Sequence, residues 1–558
     1  MGESDIWRSA YRHPGPWERD FAPLSLPDML EATARRVPNA SLIDFMGRKY
    51  SYAATLHGAN RVACGLARLG ISKGDRVGLL LPNVPHYVAA YYGALKLGAT
   101  VVNFSPLYTV PELAAQVEDS GTRLLFTLSA TALLPNAISV LELTRLERLV
   151  VGSIAGALPP AKSLLYRLLR RKEIAGRPED PHILTFSGLI ANDGRCDGAA
   201  IDPARDVALI QYTGGTTGTP KGAMLTHQNL TANARQVDAI DPEPQAADRI
   251  MGVLPLFHVF ANTCVLNRTV HRGGEMVLLP RFDAAQTLAA IERTRPTSMP
   301  GVPTMYQALL DHPKTSRTDL SSLRICISGG APMPAEVKRR FEEKTGARLV
   351  EGYGLTESSG VVSTNPYEGL NKSGTIGQPI PGTLVTIVDK EDPGRPPPAG
   401  EPGEIVIAGP QVMKGYWRRP EADSEVFVAG RLRTGDVGTI DADGYVRIVD
   451  RLKDMIAVSG FKVFPSQIEA ILYRHEAVRE ALVIGVPDAY AGERPKAFVT
   501  LADGADVTGE QLRDWLNETL GKHERVAAVE VRAALPKTMI GKLSRKELQA
   551  EERAKASA

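Results

Sequence analysis

Residues 213–219 are all glycine or threonine, and Pro220 and Lys221 follow, so the stretch from Tyr212 to Gly222 reads YTGGTTGTPKG. Glycines let a backbone approach a ligand closely, and consecutive N–H groups in such a turn form a concavity for an anion. Thr213, Thr216 and Thr217 add hydroxyl donors to Gly214, Gly215 and Gly218, and Lys221 adds a mobile positive charge. A phosphate is the natural guest. The spacing is not that of the common P-loop, G-x-x-x-x-G-K-[ST] opening a helix. Here Pro220 precedes the lysine, Gly222 follows it, and residues 223–226 read as another short strand. A plain hairpin turn is the competing reading, disfavoured because hairpin loops usually take about 2–5 residues.

Four further residues carry possible chemistry but are weak signals alone. Glu357 closes EGYGLTE after a short strand, and by itself reads as an acid at a helix N-terminus. Asp436 in RTGD reads as a turn residue. His258 in LFHVF, among apolar neighbours, reads by default as a satisfied core histidine. Lys542 closes PKTMIGK near the C-terminus.

The hydrophobic pattern supplies the scaffold. Residues 53–69, 84–97 and 111–119 read as helices, alternating with apolar strands at 76–81, 99–103 and 123–127. That alternation predicts an α/β layer with parallel pairing. Strands at 207–211, 249–255, 276–279, 324–328 and 348–351 continue it, and Thr226 is a candidate N-cap for a helix from His227. SGGAPMP and EGYGLTE lie at the ends of two of these strands, where ligands of open α/β sheets bind. From about residue 374 the pattern turns β-rich, at 384–388, 403–408, 438–440 and 445–449. A charged break at 451–454 places the boundary between domains 1–450 and 451–558. The second reads as a small α+β unit, with helices at 465–473, 509–520 and from about 544, and strands at 481–486, 497–501 and 528–532. The expected fold is therefore α/β: a large N-terminal domain of α/β layers with a β-rich subdomain, plus a small α+β C-terminal domain. More than one domain is required, since single cores stop growing near about 250–300 residues.

Composition narrows the function. With 43% hydrophobic and 23% charged residues the chain reads as an ordinary soluble protein, and a net charge of +2 gives no case for nucleic acid. Cys64, Cys196, Cys264 and Cys326 are far apart in sequence and form no C-x-x-C, which predicts neither a zinc site nor a disulfide but buried free thiols in a reducing compartment. The N-terminus lacks the apolar core of a signal peptide, and Ile6 stands where a myristoylation site needs Ser or Thr. No uncharged apolar run reaches membrane-spanning length. The expected location is the cytoplasm. Residues 161–172, AKSLLYRLLRRK, form a helix pattern with four leucines on one face and five Lys/Arg residues elsewhere. Contact with an anionic membrane surface is one reading; a solvated surface helix packing its leucines on the body is the preferred one.

In order and spacing, YTGGTTGTPKG, LFHVF, SGGAPMP, EGYGLTE, RTGD, DRLKDMIAVSGFKVFP and PKTMIGK resemble the motifs of the adenylate-forming superfamily, closest to its medium- and long-chain fatty acyl-CoA synthetases. The resemblance implies a two-step reaction on ATP, a carboxylic acid and coenzyme A. The acid attacks the α-phosphate, giving acyl-AMP and pyrophosphate, and the CoA thiol then displaces AMP. It implies that the Gly/Thr loop holds the β- and γ-phosphates, Glu357 binds Mg2+ and Thr356 contacts the α-phosphate. Gly330, Ala331, Pro332, Tyr353 and Gly354 match the segments around adenine. Asp436 matches the ribose ligand, with Arg451 as a second ribose or phosphate contact. His258 matches the residue beside the acyl carboxylate. Lys542 matches the lysine that a mobile C-terminal domain brings to the α-phosphate, Lys453 the hinge, and Gly460 the strand beside the pantetheine tunnel. Lys542 would also be a target for a protein acetyltransferase and deacetylase. Val302, Thr304, Met305, Phe260 and Gly329 should lie near the acyl chain. The chain departs from many relatives at 521–526, GKHERV, where a proline is missing. A dicarboxylate such as pimelate or an aromatic acid is an alternative substrate. A luciferase-like oxygenase and a non-catalytic acyl-nucleotide sensor are further alternatives. The sensor is disfavoured by the presence of Lys542 and Glu357, and no G-x-S-x-G supports a hydrolase.

Overall fold

The structure is a computed structural model that describes every residue except 1–4, 214–219, 246–247, 399–400, 460, 489, 503, 538–542 and 558. Gly214, Gly215, Thr216, Thr217, Gly218, Gly460 and Lys542 therefore lie outside the described residues. The chain divides into two compact units, Met1–Leu384 with Ile407–Gly430, and Val385–Val406 with Arg431–Ala558. The β-rich strands just before residue 451 thus group with the C-terminal residues.

Two large sheets build the first unit. In one, Lys221–Thr226, Val207–Thr213, Thr100–Asn103, Arg76–Leu79, Thr122–Leu128, Arg148–Gly152 and Ile183–Thr185 lie side by side, with Gly415–Tyr416 at the edge beside Lys221–Thr226. All neighbours from Val207–Thr213 to Ile183–Thr185 are parallel. The other sheet carries Ser41–Phe45, Glu275–Leu278, Arg249–Gly252, Ser298–Gly301, Ile325–Gly329 and Arg348–Tyr353 in parallel. Strands covered on both faces read as continuous apolar runs, and TVVN, EMVL and ICISG are buried at every position. The layered α/β fold expected from the sequence is the one observed.

Helices start where the sequence places caps. Thr226 accepts from Asn229 N and closes a capping box on helix His227–Ala239, satisfying N–H groups that the first turn leaves unpaired. Helices Tyr52–Arg68 and Pro85–Lys96 pack so closely that a Cβ on Gly93 would sit 2.7 Å from the Val62 side chain.

Two expectations are corrected in this unit. Cys64 and Cys196 form a disulfide, with Cα atoms 5.4 Å apart, and only Cys264 and Cys326 are free and buried. The loop after residue 190 folds back over helix Tyr52–Arg68, where Asn192 Nδ2 donates to Arg61 O at 2.9 Å. That return brings together two residues 132 positions apart, which spacing along the chain cannot reveal. The leucines of helix Pro160–Leu169 do not pack on the body: none of its residues is buried.

The second unit contains most of Leu384–Val388 and Gly403–Ala408, all of Arg431–Ile440 and Val446–Arg451, and a separate sheet of Ile456–Val458, Phe461–Val463, Val478–Asp488, Gly492–Leu501 and Val529–Val531. Helices Pro465–Leu472 and Gly509–Thr519 close its core through Ile468, Leu472, Leu512 and Leu516, all buried. Helix Arg545–Ser557 is the last element.

Candidate active site

The Gly/Thr stretch joins two paired strands. Val207–Thr213 runs antiparallel to Lys221–Thr226, with Tyr212 opposite Gly222 and Thr213 opposite Lys221. The topology is that of a hairpin, but residues 214–220 make a connection longer than a tight turn needs. The hairpin and phosphate readings are therefore compatible. The base is pinned: Tyr212 Oη donates to Asp119 Oδ2 at 2.6 Å, and Trp417 Nε1 donates to Asp119 O at 3.0 Å.

Edge strand Gly415–Tyr416 pairs with Lys221–Thr226, placing Tyr416 opposite Ala223. The Tyr416 ring lies 5.4 Å from Lys221 Nζ, a cation–π distance, and its hydroxyl donates to Glu357 Oε1 at 2.7 Å. Burial and then the Glu357 charge push the Tyr416 hydroxyl pKa well up, so it stays a donor. One tyrosine thus joins the loop's lysine to the candidate metal carboxylate. Sequence reasoning missed Tyr416, because its motif, KGYW, carries no chemistry of its own.

Glu357 and Thr356 sit in the short turn Thr356–Ser358. Met413 N donates to Glu357 O at 2.8 Å, and Ser359 Oγ donates to Gln411 O at 2.8 Å. A Cβ on Gly354 would fall 2.1 Å from Gly360 O, so the segment closes on itself and no side chain fits there. These contacts fix the direction of the Glu357 side chain. Its Oε1 is held by Tyr416, and among the described residues Oε2 has no hydrogen-bond partner. A half-buried carboxylate with one oxygen available suits a Mg2+ ion, which usually takes one or two carboxylates and completes its shell with water and substrate phosphate. No cluster of three or more His, Cys, Asp or Glu that would form an all-protein metal site occurs among the described residues.

His258 is half-buried and caps helix Val259–Ala261, its Nδ1 accepting from Phe260 N at 3.3 Å. In the neutral ring the proton is then on Nε2. Thr263 Oγ1 donates to Ser359 O at 2.6 Å, tying the segment after His258 to the turn that carries Thr356 and Glu357.

Gly329 lies opposite Gly352, and Gly301 opposite Ser328, on adjacent parallel strands. Val302, Gly330 and Tyr353 therefore emerge together at the carboxyl ends of the sheet, the usual ligand position. Gly330 has φ 86, a left-handed conformation. Gly330 and Pro332 are exposed, Ala331 is half-buried and Tyr353 is buried. A Cβ on Gly329 would lie 3.1 Å from the Phe260 ring, so Phe260 packs on the strand end. Val302 and Met305 are buried and Thr304 is exposed. Behind this rim, burial raises the Glu351 carboxyl to about 7, opposed by a hydrogen bond from Met333 N and by the Lys338 charge.

In the second unit Asp436 is not in a turn but in strand Arg431–Ile440, directly opposite Arg451 on Val446–Arg451. Arg451 Nε approaches Asp436 Oδ1 at 2.9 Å. Lys453 follows in the turn Leu452–Asp454, its pKa lowered by desolvation and by Arg451. Arg545 anchors the last helix: its Nη2 donates to both Glu469 carboxylate oxygens at 2.7 Å, and its Nη1 reaches Asp454 Oδ2 at 3.1 Å.

Comparison with known proteins finds relatives over nearly the whole chain. Residues 30–417 match the AMP-binding enzyme family and residues 467–542 the AMP-binding enzyme C-terminal domain. A long-chain-fatty-acid–CoA ligase of Bacillus subtilis is 41% identical over 556 residues, covering 99% of each chain. A feruloyl-CoA synthase of an Amycolatopsis species is 37% identical over 517 residues, covering 92% of this chain and 96% of that one. The crystal structure of an anthranilate CoA ligase with anthranoyl-AMP superposes with a TM-score of 0.84 at 28% identity, covering all of both chains. The chain belongs to the AMP-binding enzyme family. Within it, this is an AMP-forming acyl-CoA synthetase, with ATP and coenzyme A as substrates.

Proposed function

We propose that the acid is a long-chain fatty acid, activated as its acyl-adenylate and passed to coenzyme A. The Lys221–Tyr416–Glu357 arrangement carries this reading, because it sets a cation and a metal-competent carboxylate beside the loop where the pyrophosphate of ATP would lie. Thr213 to Lys221 hold the β- and γ-phosphates, and Thr356 meets the α-phosphate. Mg2+, held by Glu357, would neutralise phosphate charge. A carboxylate oxygen forms the new bond to the α-phosphorus, and pyrophosphate leaves. His258 lies beside that carboxylate. Gly330, Ala331, Pro332, Tyr353 and Gly354 take the adenine, and Asp436 with Arg451 the ribose.

Lys542 offsets charge at the α-phosphorus during adenylation. The segment beyond the Lys453 hinge then turns, and Gly460 borders the path of the CoA thiol, which attacks the acyl carbonyl as AMP leaves. The apolar Phe260, Val302 and Met305 suit an aliphatic chain, and the Bacillus subtilis relative acts on long-chain acids by its name. The feruloyl-CoA synthase keeps an aromatic acid as the second reading. A cytoplasmic location goes with this reading, and among the described residues no helix is long and apolar enough to cross a membrane.

A pyrophosphate-release assay over fatty, dicarboxylic and aromatic acids, with and without CoA, tests the proposal. Release with long-chain acids, and thioester only when CoA is present, is the expected result. Preference for ferulate or a dicarboxylate would replace the acid, and oxygen uptake in place of thioester would overturn the ligase.

A further inference from the structure

Helix Pro160–Leu169 is oriented the wrong way round for a packed surface helix. At about 100° per residue, Leu164, Leu165, Leu168 and Leu169 fall within an arc of about 140°. They are 63, 53, 67 and 72% exposed. The half-buried residues are Ser163 and Tyr166, on the other side. The base of the helix is fixed to the body. Lys162 Nζ donates to Met46 O at 2.8 Å, and Arg48 Nη1 donates to Gly156 O at 2.7 Å, just before the helix begins. The leucines are therefore held outward on a supported element.

The charges around them select the partner. Lys162 and Arg167 border the leucine arc on its two sides, and Arg170, Arg171 and Lys172 follow it. Residues 148–172 contain no Asp or Glu, and the first acid, Glu173, meets Arg170 at 2.8 Å. A leucine stripe rimmed by basic side chains is the pattern of a helix lying in a bilayer's headgroup region, and anionic lipid attracts such a cluster. A second copy docking through the same face would set these like charges against each other.

We propose that helix Pro160–Leu169, with the basic run to Lys172, docks this protein on an anionic membrane surface. The leucines enter the acyl boundary, and the basic side chains meet lipid phosphates. Among the described residues no helix is long and apolar enough to span the bilayer. The inference rests on this face alone and is independent of the acid that the enzyme uses.

Vesicle flotation of the full chain tests it, using phosphatidylcholine alone and phosphatidylcholine with phosphatidylglycerol. The wild-type chain should float with the anionic vesicles and far less with the neutral ones. The double change Leu164→Gln with Leu168→Gln should lower partitioning at least about tenfold. The triple change Arg167→Gln, Arg170→Gln and Arg171→Gln should abolish the preference for phosphatidylglycerol. All of these residues are exposed, so both variants should keep wild-type thioester synthesis with a water-soluble short-chain acid in the absence of vesicles. Wild-type protein that stays in solution with anionic vesicles overturns the proposal, as does a leucine variant that floats equally well. A wild-type dimer that the leucine changes split, with no vesicle binding, would give this face to a second copy and overturn it too.

Discussion

The Tyr416 hydroxyl donates to Glu357 Oε1 at 2.7 Å, and the ring that carries it lies under the Lys221 ammonium. Two residues of separate motifs are thus oriented by a third that belongs to neither. Partners that orient a metal ligand commonly matter about 10–100-fold in affinity. Tyr416→Phe should therefore raise the Mg2+ concentration for half-maximal pyrophosphate release about tenfold, with an unchanged melting profile. Magnesium dependence identical to wild type would show that the hydroxyl plays no part.

Lys542→Ala should lose acyl-AMP formation by on the order of 10²–10³-fold, a typical loss for one charge-stabilising group. Thioester formation from supplied acyl-AMP should largely survive. Comparing the two half-reactions separates the roles, and equal loss in both would refute the assignment. A bulky replacement of Gly460 should give the reverse split.

Gly329 accommodates the Phe260 ring, 3.1 Å from where a Cβ would stand. Gly329→Val must push that ring away. Under the proposed function the variant should disfavour long acids, with kcat/KM for them falling about tenfold against a short acid, the scale of a one-methylene mismatch in an apolar pocket. An unchanged chain-length profile would place the acyl chain elsewhere.

Glu351 makes stability depend on pH. Its folded carboxyl stands at about 7, against 4.5 for a solvated glutamate side chain. Between these values the folded chain keeps a proton that the unfolded chain has released. The group's contribution is therefore full below its unfolded pKa and is lost as pH rises through its folded pKa. Glu351→Gln preserves an acceptor for Met333 N and removes the charge. It should stabilise the protein by as much as about 3 kcal/mol near pH 8 and much less near pH 5. Thermal melts at both values measure this; a pH-independent change would exclude ionisation of Glu351 as the cause.

Burial pushes the Cys264 and Cys326 thiols up to about 12. A thiol reagent should therefore react negligibly with the folded chain. It should find two groups after unfolding without reductant and four after reduction. Four groups in the unreduced, unfolded chain would rule out the Cys64–Cys196 bond.

Much of the scaffold was legible because parallel strands leave continuous apolar runs and helices begin at residues such as Thr226. The strand ends carrying Gly329, Gly330, Tyr353 and Glu357 were legible for the same reason. Tyr416 was not. Its role depends on the pairing of Gly415–Tyr416 with Lys221–Thr226, across some 190 residues of chain, and no local pattern encodes that. Asp436 looked like a turn because Thr-Gly-Asp commonly is one, yet its strand continues through Gly435 to face Arg451. The leucine periodicity of residues 164–169 announced a helix with two unlike faces. It could not say which face met the body, since that is set by the neighbours Lys162 and Arg48 find.

Arg545 bonds Glu469 and Asp454 at once, at 2.7 and 3.1 Å. It stands three residues after Lys542, and Asp454 stands one residue after Lys453. On the proposed hinge, the pivot and the start of the last helix share a single clamp. The two ends of an excursion 91 residues long in sequence are thereby tied at one ion-paired joint.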